Sequence, residues 1–197
     1  MTKERLAAFT DGVIAIIITI MVLELKAPHD AGWAALASLL PVFLSYVLSF
    51  IYLAIYWNNH HHLLHTVDKV DGTILWANMH LLFWLSLVPF ATAWMGENQF
   101  AQQPTALYGL ALLMPAIAYY LLQLAIIRQH GADGLLAKAL GRDFKGKISP
   151  ILYLTAIGCA FVWPFVSYAI YVAIALMWLI PDARIARVLY ERERSPD

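Results

Sequence analysis

Charge is scarce in this chain of 197 residues: 13% are Asp, Glu, Lys or Arg, where an average soluble domain carries about a quarter. The two signs balance, 13 basic against 13 acidic, so no basic surface is expected to recruit nucleic acid. A single cysteine, Cys159, excludes an intramolecular disulfide. Glycine-rich phosphate loops, serine-nucleophile motifs and the zinc-protease helix motif are absent from the sequence, and with so few polar residues for acid–base work no enzymatic activity is expected. Apolar residues fill the space that charge leaves. They make up 61% of the chain at a mean hydropathy of +0.67, too many for one globular core and spread along the whole length. That pattern predicts an all-α integral membrane protein.

A bilayer core of about 30 Å calls for roughly 20 residues of helix. Six such segments are predicted, at residues 7–25, 34–58, 70–94, 105–127, 148–163 and 165–180, forming a single six-helix transmembrane domain over residues 1–197. The fourth contains Pro115, where a kink is expected because proline donates no amide hydrogen; the fifth and sixth are a short pair hinged at Pro164. The first has a basic start like a signal peptide, but Asp11 interrupts its onset and no small-x-small cleavage pattern follows, so it is read as a retained span. Lys3, Arg5, Lys69, Arg128, Lys138, Arg142, Lys145, Lys147 and Arg184, Arg187, Arg192 and Arg194 fall on one side of this arrangement, against Lys26 on the other. The asymmetry predicts a multi-pass cell-membrane protein with both termini cytoplasmic. The longest loop, residues 129–146, is too short for a soluble domain, and no soluble protein partner is implied.

The first segment carries ionisable residues, Arg5 and Asp11, at its mouth, which is costly at membrane depth. At about 100° per residue, Gly12, Ile16, Thr19, Ile20 and Leu23 share one stripe, while Thr10 and Asp11 fall about 90° or more away. The helix therefore offers two surfaces. One is an apolar stripe suited to copies of itself or to lipid; the other carries polar groups expected to point back into their own subunit. Partners for Asp11 at matching depth are His60 or His61 at the end of the second segment and Asn78 in the third; with Arg5 they form a candidate polar network that would satisfy groups lipid cannot. Trp57 and Trp76 are candidates to wall it.

His61 and His65 also have the i, i+4 spacing of two ligands on one helix face. A membrane di-metal enzyme needs several such boxes, and the remaining histidines, His29, His80 and His130, are scattered. No metal site and no cofactor is expected on this count.

Arg5-x-x-x-Phe9-Thr10-Asp11-Gly12 followed by the apolar run Val13–Leu25, and then Trp57-x-x-His60-His61, Asn78 and Pro89-Phe90-x-Thr92 in order, resemble the signature of the transmembrane protein 175 family of cation channels. The resemblance implies a homotetramer in the lipid bilayer, six helices per subunit, a pore lined by the first helix of each subunit, and potassium as permeant ion, with sodium and other monovalent cations as further candidates. It implies that Ile16 forms the main constriction, with Thr19 and Leu23 on the same path, and that Arg5, Phe9, Thr10, Asp11, Trp57, His60, His61 and Asn78 form a structural or gating network. Serine is usual in the family where this chain has Thr10; the hydroxyl is kept. A proton-coupled secondary transporter using Asp11 and the His60/His61 cluster is the alternative.

Overall fold

A computed structural model describes residues 2–67, 69–131, 136 and 144–179. Ile180 and the loop and tail residues Asp68, Lys138, Arg142, Arg184, Arg187, Arg192 and Arg194 lie outside the described residues. The described residues fold into helices: α1 (Lys3–Leu23), α2 (Trp33–Ser38), α3 (Leu40–His65), α4 (Gly72–Ser86), α5 (Val88–Glu97), α6 (Gln102–His130), α7 (Phe144–Ala160) and α8 (Pro164–Leu179). Four segments are long and apolar enough to cross a membrane, namely Lys3–Leu23, Leu40–His65, Gly72–Glu97 and Gln102–His130. At 17 and 16 residues, α7 and α8 are shorter.

Local chemistry explains where the observed boundaries differ from the sequence expectation. The first helix starts at Lys3 rather than Ala7 because the Thr2 hydroxyl accepts from the Arg5 N–H (3.4 Å), occupying an otherwise orphaned donor. The second expected span divides into α2 and α3. Pro41 sits in the first turn of α3, a position where its missing N–H costs nothing. At its other end α3 runs on to His65, so His60, His61, His62 and His65 are helical rather than the start of a loop. The third span is interrupted at Leu87, with Pro89 in the first turn of the new helix. Asp71 caps α4 by accepting from the Ile74 N–H (2.8 Å).

Two apolar cores hold these helices. The front core joins Leu6, Ile14, Ile17 and Met21 of α1 to Leu53, Leu63 and Leu64 of α3, to Ile74, Leu81, Leu82 and Leu85 of α4, and to Leu122 and Ile126 of α6. The rear core joins Leu48, Tyr52 and Ile55 of α3 to Ala91 and Met95 of α5, Tyr108 and Leu112 of α6, Tyr153 and Ala156 of α7, and Tyr171 and Ile174 of α8. Helices α3, α5 and α6 belong to both, whereas α1 contributes to the front core alone.

Close approaches at glycine tighten the rear. A side chain at Gly96 would meet the Val42 backbone at 2.7 Å, and one at Gly109 would overlap the Tyr171 hydroxyl and meet Ile157 at 2.7 Å. Buried hydroxyls tie the same helices together. Ser49 Oγ bonds Thr92 Oγ1 (2.7 Å) and Tyr108 OH (2.9 Å), and Tyr52 OH donates to the Tyr171 carbonyl (2.6 Å).

Candidate functional site

Helix α1 packs through one face on α3, α4 and α5 and leaves the other uncovered. Leu6, Thr10, Ile14, Ile17 and Met21 are buried, at the i, i+4, i+7 spacing of one helical face. Gly12, Ala15, Ile16, Thr19, Ile20 and Leu23 are exposed. Ile16 keeps 59% of its surface and Leu23 76%, an uncovered line of large aliphatics along the most apolar of the four long segments. Beside it, Val13, Ile16, Ile17, Ile20 and Glu24 form one wall of a groove of about 490 Å³. Its other wall is Ser86, Pro89, Phe90 and Ala93, across the α4–α5 junction.

The Thr19 hydroxyl donates to the Ile16 carbonyl (2.8 Å), the usual back-bond of a mid-helix threonine. That bond uses the donor and leaves oxygen lone pairs free on the exposed face.

The polar residues behind the stripe form two separate contacts rather than one network. In the first, His60 Nε2 donates to Asn78 Oδ1 (2.7 Å), and Asn78 Nδ2 donates to Thr10 Oγ1 (2.9 Å). All three residues are buried, Thr10 and Asn78 completely. The acceptor role of Asn78 Oδ1 fixes the His60 proton on Nε2. This triplet clamps α1 to α3 and α4 beside the front core.

In the second contact, Trp57 Nε1 donates to Asp11 Oδ1 (2.9 Å). Asp11 is exposed in the isolated subunit, and its recorded partner is the indole rather than His60, His61, Arg5 or Asn78. Helical geometry accounts for the missing Arg5 pairing: six residues separate Arg5 from Asp11, placing them about 120° apart around the axis. Arg5 and Phe9 instead fall on the exposed side with Ile16, and Phe9 is 49% exposed. Trp76, at 78% exposed, walls neither contact. His61 lies outside both as well; it contacts Trp57 (ring centroids 6.3 Å) and His65.

Trp57, expected both as a wall and as a member of the polar network, is the donor to Asp11; it lies one turn before the histidines on α3. Ser86 and Ala93 in the groove carried no signal at all, being small residues in an apolar run.

The profile of the family described as the endosomal/lysosomal potassium channel TMEM175 matches residues 5–89. That span contains α1, the buried triplet and the Trp57–Asp11 contact. A protein from Chryseobacterium sp. (strain P1-3), described as a potassium channel, is 56% identical over 191 residues, which cover 97% of this chain and all of that protein. The chain belongs to the TMEM175 family. A second relative, from Streptomyces collinus and also described as a potassium channel, is 30% identical over 88% of this chain and 90% of its own length. The crystal structure of a lysosomal potassium-selective channel TMEM175 homolog from Chamaesiphon minutus superposes with a TM-score of 0.79 at 29% identity, covering 91% of this chain and 97% of that one. The fold is therefore that of a TMEM175-like membrane channel, all-helical and membrane-spanning.

Proposed function

We propose that the chain is one subunit of a potassium-permeable cation channel in which α1 lines a pore on a fourfold axis. The observation that carries this reading is the split of α1 into a packed face and an uncovered line of Ile16, Thr19, Ile20 and Leu23. An aliphatic stripe facing lipid needs no groove beside it. Here a groove runs between α1 and the α4–α5 junction, room for side chains of a neighbouring α1, and this supports self-assembly into a homotetramer. The six-span arrangement adds α7 and α8 to the four long segments, with both termini cytoplasmic. The relatives described as potassium channels support potassium as the principal permeant ion, with other monovalent cations as lesser ones; no cofactor takes part.

In this reading four Ile16 side chains form the constriction, and Leu23 adds a second apolar layer. Between them the Thr19 oxygens, whose donors are held by the Ile16 carbonyls, replace part of an ion's hydration shell. Selection rests on the cost of removing water in a narrow apolar neck, and gating on widening or wetting it. Thr10, Asn78 and His60, with Asp11 and Trp57, hold the back of α1 so that this geometry persists. The transporter alternative asks Asp11 and the histidines to share a proton path. Asp11 bonds Trp57 while His60 bonds Asn78, with no bond between the two contacts, which favours the pore.

Single-channel recording in planar bilayers under mixed potassium and sodium gradients tests the assignment. Unitary currents are expected, and I16N is expected to raise conductance and weaken ion discrimination. Wild-type conductance and selectivity in I16N would remove the constriction, and saturable, carrier-like flux without unitary currents would remove the channel.

A further inference from the structure

The last turn of α3 brings two imidazoles into register that neither the apolar stripe nor the clamp uses. His61 Nε2 and His65 Nε2 lie 3.2 Å apart, with ring centroids at 4.6 Å. Both residues are exposed, so the space in front of the two nitrogens is open to solvent. Two nitrogens bound at about 2.0–2.1 Å to one tetrahedral zinc ion sit about 3.3 Å from each other. The separation already present is thus close to the bite distance of a chelate, and a turn of the exposed rings aims both lone pairs at one ion.

We propose that His61 and His65 form a two-point binding site for a divalent transition-metal ion, zinc in the first instance, at the end of α3. The ion replaces the present hydrogen bond between the rings. The imidazole that now donates through Nε2 moves its proton to Nδ1, so both Nε2 lone pairs become available with no net proton released. Among the described residues no group of three or more His, Cys, Asp or Glu side chains converges, so solvent completes the coordination sphere. An open sphere of this kind gives exchangeable binding rather than a permanent structural metal. The location carries a consequence for the neighbouring contact. His61 lies against Trp57, the donor to Asp11 of α1, so a chelate stiffens the turn that abuts the pore helix.

Isothermal titration of zinc chloride into the tag-free protein in detergent tests the site. One saturable zinc per subunit is expected. H61N and H65N are each expected to weaken it about tenfold or more, while H62N and C159S retain it; both target side chains are exposed, and unchanged thermal midpoints without zinc check that the variants fold. Two results overturn the proposal: no saturable zinc on the wild-type protein, or the same zinc affinity in H61N and H65N as in wild type.

Discussion

Asn78 is the residue on which the attachment of α1 turns. It accepts from His60 with one end of its carboxamide and donates to Thr10 with the other, and all three side chains are buried. Removing it orphans two groups at once. Interhelical hydrogen bonds in membrane bundles average only about 0.6 kcal/mol each. A buried group left unpaired costs about 1–3 kcal/mol, so the orphaning outweighs the lost bonds. Asn78→Leu keeps the volume and removes both partners, and a loss of about 1–3 kcal/mol is expected, read as a lower thermal midpoint of the purified protein. Thr10→Ser keeps the acceptor oxygen and should leave the midpoint nearly unchanged. Equal losses in the two variants would show that packing, not the carboxamide bridge, holds α1.

The same residue shows how much of the site could be read before any fold was known. Depth matching placed Asn78 and His60 beside the start of α1, and the structure joins them there. It could not assign Asp11, because a carboxylate accepts equally from imidazole, guanidinium or indole, and the structure selects the Trp57 indole. For Arg5 the 100° rule gives the reason: it puts Arg5 and Asp11 on different faces of α1, and Asp11 bonds Trp57.

At the scale of elements, the packed and open faces of α1 followed from periodicity, whereas helix boundaries moved with caps and prolines. Thr2 lengthens α1 at its start, and the break at Leu87 splits the third span into α4 and α5. Close helix crossings are less visible still, since a glycine in an apolar run says nothing about what lies opposite. Gly109 is such a case, with α6 meeting the Tyr171 hydroxyl of α8 and Ile157 of α7 where a side chain would stand. Gly109→Ala is expected to cost about 1–3 kcal/mol through overpacking. Tyr171→Phe removes the oxygen nearest the added methyl, along with a bond to the Thr105 carbonyl (3.1 Å). On a Gly109→Ala background it should therefore recover part of the loss, although alone it is destabilising. Thermal midpoints of the two single variants and the double variant decide this, and a double variant no better than the sum of its parts would mean that the crossing is not set by that hydroxyl.

Across the whole molecule, hydropathy was enough to predict a membrane-spanning helical fold, but not how the helices divide between interiors. The buried side chains fall into two cores that share α3, α5 and α6, and α1 enters only the front one. Substitutions in separate cores share no partner, so their effects should sum. Ile14→Val in the front and Leu112→Ala in the rear are expected to combine within about 0.3–0.5 kcal/mol of additivity, checked by a double-mutant cycle on thermal unfolding. A larger coupling energy would mean that the shared helices α3, α5 and α6 transmit strain between the cores. If the effects sum, a consequence follows for how such a protein can change over generations. The exposed face of α1 is free to accumulate substitutions, while the rear core, untouched by them, keeps the subunit folded long enough for a changed α1 surface to be selected.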